Sequence, residues 1–165
     1  DAQESRGLGD VYKRQFLDEA KKVGAMLVMV QEEVAERFCA QPDTKEYGAI
    51  TVALKTAAEV KIVRRVGRKM FVPAPNVDSA VVSIVFDDEK RGGVGREALR
   101  SVVRAAFSMR RKTLLNNLSA FFKADKAVLK DMLEKLGFSP DVRGESLSPE
   151  DFLRLASELE GLKAV

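Results

Sequence analysis

The chain has 165 residues, and its 28 basic residues outnumber its 25 acidic residues to give a net charge of +3. A chain of this length forms one ordinary domain, or part of a domain with a smaller one beside it. Cys39 is the only cysteine and histidine is absent, which excludes disulfides, zinc sites and catalytic pairs of serine or cysteine with histidine. No apolar run reaches the roughly 18 to 20 residues of a membrane-spanning helix, and no segment has the pattern of a secretory signal, so we expect a cytoplasmic protein.

The first 15 residues lack the periodicity of a helix or a strand. Residues 8–15 in particular show no regular apolar spacing. We therefore expect residues 1–15 to be a non-native leader and leave them out of the fold prediction.

Residues 16–86 predict strands and helices in alternation. Residues 25–30 are a continuous apolar run, the pattern of a central strand that is buried on both faces of a parallel sheet. Gln31, Glu32 and Glu33 follow at its carboxyl end, where they form either part of a site or a solvated helix start. Residues 32–40 predict a short helix. Residues 49–58 are ambiguous, because they combine β-branched residues with apolar residues at helical spacing.

An aromatic residue lies in a proline-stiffened loop, within the sequence F-V-P-A-P-N-V-D-S-A-V-V at residues 71–82. Pro73 and Pro75 each fix their own φ at about −65° and push the residue before them out of the helical region. We therefore expect residues 71–76 to be extended and able to present the Phe71 ring to a site. On physical grounds alone the alternative is favoured, namely that Phe71 packs in a core, since most aromatic side chains do.

The rest of the chain predicts a linker followed by helices. Residues 87–95 are polar and rich in glycine, so we place a domain boundary there. We interpret their G-G-V-G run as part of this linker and not as a nucleotide-binding loop, because such a loop follows the first strand of a βαβ unit. Four helices are predicted, over residues 96–107, 113–122, 126–136 and from Pro149 onward, the last with Ser148 as its N-cap and Asp151 three residues later.

Basic residues concentrate in the predicted helical part. Residues 96–112 contain six basic residues and a single acidic one, and two asparagines follow them. Such a face suits a phosphate backbone, because the planar guanidinium of arginine donates two parallel hydrogen bonds. The alternative is an ordinary solvated charge cluster. Arg143, within D-V-R-G-E, either extends this face or belongs to a turn with an ion pair.

Three segments, in the right order, resemble the small-subunit rRNA adenine dimethyltransferases. The loop at residues 71–82 resembles the signature F-x-P-x-P-x-V-D-S-A-V-V of that family. M-V-Q-E-E-V-A-E-R at residues 29–37 resembles its M-V-Q-K-E-V-A-x-R, with Glu32 where a base is usual. A-F-S-M-R-R-K-T-L-L-N-N-L at residues 106–118 is close to its A-F-x-Q-R-R-K-T-L-R-N-x-L. The resemblance runs from about residue 16 to about residue 155 and covers the back half of such an enzyme.

The resemblance implies an α/β fold, namely the C-terminal part of a doubly wound, Rossmann-like methyltransferase sheet of about three strands. A small helical subdomain that binds rRNA would occupy residues 96–165. The resemblance favours a helix for residues 49–58, followed by strands at residues 59–66 and 79–86. These two strands would form an antiparallel hairpin through the loop that contains Phe71.

The resemblance also implies an activity, the S-adenosylmethionine-dependent dimethylation of adenosines near the end of small-subunit rRNA. A monomer would act on the immature small ribosomal subunit, with no metal. Phe71 would stack on the flipped target adenine. The residues implied to contact rRNA are Arg104, Arg110, Arg111, Lys112 and Arg143.

The family carries a glycine-rich S-adenosylmethionine loop and an N-L-P-Y motif, and neither is among these 165 residues. We therefore expect the chain as written to be a truncated C-terminal portion that is inactive alone. Two alternatives stay open. One is a related large-subunit rRNA adenine methyltransferase that confers antibiotic resistance, and the other is a non-catalytic RNA-binding or ribosome-assembly module.

Overall fold

The computed structural model describes residues 23–87 and 95–160. The predicted leader at residues 1–15 and nearly all of the predicted linker lie outside these described residues, so the domain boundary stays a prediction. None of the helices in the described ranges is long and apolar enough to cross a membrane.

The described elements follow the predicted order. The strands are β1 (Ala25–Gln31), β2 (Ala58–Val66) and β3 (Ser79–Phe86). The helices are α1 (Glu32–Cys39), α2 (Ala49–Lys55), α3 (Arg96–Ala106), α4 (Leu114–Phe122), α5 (Lys126–Lys135) and α6 (Pro149–Glu158). Short 3₁₀ turns cover Arg68–Met70 and Gly144–Ser146.

Most of residues 49–58, the segment that periodicity left ambiguous, forms helix α2, as the resemblance implied. The Thr51 hydroxyl explains how a β-branched residue is accommodated there. Its oxygen accepts a hydrogen bond from the Gly48 N–H at 3.2 Å and donates one to the Arg37 carbonyl at 2.5 Å. The side chain therefore caps α2 and ties it to the end of α1, which offsets its weak helix propensity.

The three strands form one sheet in the order β1-β3-β2, and β3 runs antiparallel to both neighbours. Strands β2 and β3 form the predicted hairpin, and residues 67–78, which contain Phe71, connect them. The β2 register shifts between Ile62 and Arg64, which is a β-bulge that bends the strand.

The prediction that residues 25–30 form a central strand buried on both faces is wrong. Strand β1 lies at one edge of the sheet in the described part of the chain. Met26, Val28 and Val30 pack against the cluster that α1 and α2 cover, whereas Leu27 and Met29 on the other face are 69% and 57% exposed. Within the described residues, helices cover only one face of the sheet, so a continuous apolar run alternates between buried and exposed positions.

The helical core extends back into the first part of the chain. It contains the fully buried Phe152 together with Tyr47 and Val52, which precede the predicted boundary. The Tyr47 hydroxyl donates a hydrogen bond to the Leu147 carbonyl at 2.7 Å, and its burial raises the pKa of the phenol. The Tyr47 ring also lies 6.2 Å from that of Phe107. The loop before α2, the loop after α3 and the segment before α6 therefore meet at one place.

The predicted start of α6 is confirmed. The Ser148 hydroxyl accepts a hydrogen bond from the Asp151 N–H, and the Asp151 carboxylate accepts one from the Ser148 N–H, both at 3.1 Å. Pro149 occupies the first helical position. This capping box fixes the chain direction immediately after Leu147.

Candidate functional site

The predicted basic cluster lies on the loop between α3 and α4, residues 107–113, which we call the basic loop. Arg110, Arg111 and Lys112 are all exposed on it. The Thr113 hydroxyl caps α4 by accepting a hydrogen bond from the Asn116 N–H at 3.3 Å. A well-defined helix start therefore follows directly after the three cations.

The two asparagines that follow the basic loop are structural residues. Asn117 is only 1% exposed, and its amide donates hydrogen bonds to the carbonyls of Ala106 at 2.9 Å and Met109 at 3.2 Å. Asn116 hydrogen bonds to the Thr113 hydroxyl and accepts a bond from Lys126. Asn117 thus anchors the backbone of the basic loop, a role that the sequence pattern did not reveal.

Segment 142–147, between α5 and α6, packs against the basic loop. The Leu114 N–H donates to the Val142 carbonyl at 2.7 Å. Gly144 is buried against α3, and a Cβ atom at this position would lie 2.8 Å from the Ala106 carbonyl oxygen and 3.0 Å from the Ala106 Cβ. Only a residue without a side chain allows this close approach, which brings Arg143 and Glu145 beside the basic loop.

Three segments together line one open cleft of ≈ 380 Å³. Arg110 and Arg111 come from the basic loop, Arg143 and Glu145 from segment 142–147, and the turn before α2 completes the lining with Asp43, Thr44 and Lys45. Three of the five predicted RNA-contacting residues therefore converge, although they are distant in sequence. Arg104, which is exposed on α3, and Lys112 do not line the cleft.

Arg110 is the best-fixed cation of the cleft. Its Nε donates to the Glu145 carboxylate at 3.1 Å, and its Nη2 donates to the Lys45 carbonyl at 2.8 Å. The ion pair expected near Arg143 is thus made between Glu145 and Arg110. Across residues 23–87 and 95–160, neither Arg111 nor Arg143 forms an ion pair, so both remain available to a ligand.

The Phe71 loop, residues 67–78, is closed at its base by Asp78. The Asp78 carboxylate accepts a hydrogen bond from the Arg68 N–H at 2.7 Å, and its carbonyl accepts one from the Glu32 N–H at 3.0 Å. The Arg68 guanidinium also donates to the Asn76 carbonyl at 3.2 Å. The two bonds of Arg68 close the loop on itself, and the bond from Glu32 attaches it to the carboxyl end of β1. Sequence reasoning had not singled out Arg68 or Asp78.

Phe71 itself has the predicted extended backbone, with φ −115° and ψ 149°. Its side chain is partly buried and belongs to neither of the two hydrophobic clusters, whereas Val72 beside it is fully exposed. The Val72–Pro73 peptide bond is cis. The loop thus carries a partly buried aromatic ring that lies outside both hydrophobic clusters.

The acidic residues after β1 form ion pairs with arginines. Glu32 pairs with Arg65, and Glu33 pairs with Arg37 on the next turn of α1. Both pairs are largely exposed, so each contributes little to stability. Their carboxylates are neutralised locally and do not face the basic cleft.

Comparison with known proteins identifies the family of this chain. Residues 11–160 match the family model described as ribosomal RNA adenine dimethylase. The chain belongs to this family. The matched range begins inside the predicted leader, so the start of native sequence stays a prediction.

Several bacterial members of this family are similar to the chain along most of its length. Proteins named ribosomal RNA small subunit methyltransferase A from Bacillus mycoides, Bacillus cereus and Bacillus anthracis are each 43% identical to it over 148 residues. The alignment covers 87% of this chain and 51% of each relative. The chain therefore spans about half the length of the curated relatives that it matches.

Solved structures confirm the predicted fold class. A dimethyladenosine transferase from Plasmodium falciparum superposes with a TM-score of 0.71 and 27% identity, covering 83% of this chain and 58% of that one. The 23S rRNA methyltransferase ErmE superposes with a TM-score of 0.63 and 24% identity over 93% of this chain and 62% of that one. At this identity the second likeness shows the fold alone. The three strands and their helices share the Rossmann-like fold of these solved structures.

Proposed function

We propose that this chain is the C-terminal portion of an S-adenosylmethionine-dependent enzyme that dimethylates adenosines in small-subunit rRNA. Such an enzyme would act as a monomer on the immature small ribosomal subunit in the cytoplasm. The observation that carries the proposal is the convergence of Arg110, Arg111 and Arg143 in one cleft. Family membership supports the methyl transfer, and the names of the bacterial relatives support the small subunit as substrate.

In this proposal, five basic side chains bind RNA by contacting the phosphates of its backbone. The contacting residues are Arg104, Arg110, Arg111, Lys112 and Arg143. Four of them, all but Arg110, make no ion pair within residues 23–87 and 95–160. An unpaired surface cation keeps its full charge for a polyanion, and its binding to a phosphate releases condensed counterions.

Phe71 positions the target base in this proposal. An enzyme that modifies a base takes it out of the stack and holds it between aromatic or apolar side chains. Phe71 lies on a loop whose base is closed by Asp78, so the backbone that carries the ring needs little ordering when a base arrives. Methyl transfer to an exocyclic amine depends chiefly on alignment of the reacting atoms.

The described residues do not by themselves fit S-adenosylmethionine, which supplies the methyl group in this class of reaction. The carboxylates at the carboxyl end of β1 are paired with Arg65 and Arg37. The described cleft is lined mainly by cations and suits an anion instead. This observation favours a second candidate function for the chain as written, that of an RNA-binding module without catalysis.

We expect the 165-residue chain to show no saturable heat with S-adenosylmethionine in isothermal titration calorimetry, because no described residues form a site for it. A full-length bacterial relative, titrated under the same conditions, serves as the positive control. Saturable binding of micromolar affinity by the chain as written would contradict the expectation.

We expect Arg111→Ala to weaken RNA binding by a salt-dependent amount. Loss of one phosphate contact should lower the slope of log affinity against log salt by about 0.7 to 0.9 in magnitude, almost independently of RNA sequence. Filter binding at several salt concentrations measures this slope. Lys130→Ala is the matched control, because Lys130 lies on α5, pairs with Glu134 and does not line the cleft. If the two variants gave equal slopes of log affinity against log salt, we would conclude that the basic loop faces solvent and does not contact RNA.

A further inference from the structure

We propose that Lys45 is a phosphate-contacting residue, and that the turn formed by residues 41–46 is one wall of a composite site for an RNA phosphodiester. The inference rests on the proposed function, because it assumes that the basic cleft faces RNA. Lys45 lies outside residues 96–165, the part of the chain for which the sequence predicts RNA binding. The ligand is the backbone of RNA rather than a base.

The charges around the cleft favour an anion opposite Lys45. Lys45 is exposed and lines the cleft together with Arg111 and Arg143, and none of the three has an ion-pair partner in the described ranges. The two carboxylates of the lining are already engaged. Asp43 accepts a hydrogen bond from the Ser146 hydroxyl at 2.5 Å, and Glu145 pairs with Arg110. Three unpaired cations, Lys45, Arg111 and Arg143, therefore outnumber the single unpaired carboxylate of the described lining, that of Asp43, and the net charge offered to a ligand is positive.

The turn that carries Lys45 is fixed relative to the opposite wall. The Asp43 N–H donates to the Glu145 carbonyl at 2.9 Å, and Arg110 donates to the Lys45 carbonyl itself. Asp43 adopts φ 63°, a left-handed conformation that aspartate tolerates better than most residues. Because the walls are joined before a ligand arrives, the ordering cost of binding across them is reduced.

The lining also selects the chemical class of ligand. A protein site that binds RNA bases uses aromatic side chains as stacking surfaces. The described lining of this cleft contains no aromatic side chain. Guanidinium and ammonium groups on several walls instead match the oxygens of one phosphate and its neighbour. The volume of ≈ 380 Å³ accommodates such a group while the open side leaves the strand free to continue.

Titration of the 165-residue chain with a hairpin RNA tests this inference. Lys45→Ala should weaken binding about twofold to tenfold and lower the salt slope by about 0.7 to 0.9 in magnitude, the change also expected for Arg111→Ala. Lys45→Arg should retain both, and Lys130→Ala is the control for loss of an exposed lysine outside the cleft. Thermal melting of each variant confirms that the fold is kept, as expected for an exposed side chain.

The outcomes separate the inference from the proposed function. If Arg111→Ala lowers the salt slope and Lys45→Ala matches the Lys130→Ala control, the inference about Lys45 is overturned while the proposed RNA surface stands. If neither Arg111→Ala nor Lys45→Ala differs from the control, both are overturned. A lower slope for Lys45→Ala on hairpins of unrelated sequence supports backbone contact, whereas a loss confined to one sequence contradicts it.

Discussion

In a full-length enzyme that contains this portion, Phe71→Ala is expected to lower kcat/KM about tenfold to a hundredfold with little change in melting temperature. Stacking of a base on an aromatic side chain contributes roughly 1 to 3 kcal/mol, and its loss appears in the rate when the target base is held less well. The stability is expected to remain because Phe71 lies outside both hydrophobic clusters. Phe71→Tyr should retain most activity.

The core-packing alternative makes the opposite prediction. Removal of a core phenylalanine leaves a cavity that costs roughly 3 to 5 kcal/mol, and activity then falls only as folded protein is lost. Phe152→Ala is a matched control for that case, because Phe152 is fully buried and stacks on Phe107 at 5.8 Å. A large fall in melting temperature for Phe71→Ala, with normal single-turnover methylation per folded molecule, would refute stacking.

The base of the Phe71 loop supports this separation of stability and activity. The hydrogen bonds that close the loop join Arg68, Asp78 and Asn76, and none of them involves the ring. Truncation of Phe71 therefore leaves the closure intact. The loop continues to meet the carboxyl end of β1 through the Glu32 N–H.

The parts of the fold that the sequence predicted well depend on local signals. The N-cap of α6 is an example, because Ser148 and Asp151 satisfy each other's backbone groups within four residues. The β2–β3 hairpin depends on a different signal, because its two strands were implied by the family resemblance. The family motifs added the choice of helix for α2, which periodicity alone left open.

The parts that the sequence could not predict depend on residues that meet only in the folded chain. Nothing near Lys45 in the sequence indicates that its carbonyl binds Arg110, 65 residues away. The Tyr47 hydroxyl and the Leu147 carbonyl are 100 residues apart. The apolar run of β1 likewise gave no sign of which face the helices would cover. A cleft built by such pairs leaves no spacing pattern in the sequence.

Gly144→Ala is expected to destabilise the protein by about 1 to 3 kcal/mol and to weaken RNA binding at the same time. The added Cβ atom would lie 2.8 Å from the Ala106 carbonyl oxygen, so α3 or segment 142–147 must shift. Overpacking against backbone costs free energy of this order, because the main chain cannot move aside like the end of a flexible side chain. Arg143 and Glu145 flank the glycine, and they move with it.

Gly67→Ala is the matched control, since a Cβ atom there meets nothing within 4 Å and its φ of −66° suits any residue. It should be neutral, or stabilising by a few tenths of a kcal/mol through loss of conformational freedom in the unfolded chain. Urea unfolding of both variants gives the stability difference, and RNA titration below the transition gives the effect on binding. Comparison of Gly144→Ala with Gly67→Ala thus tests whether close packing of segment 142–147 on α3 holds Arg143 and Glu145 in the cleft. Unfolding curves that coincide for the two variants would show that it does not.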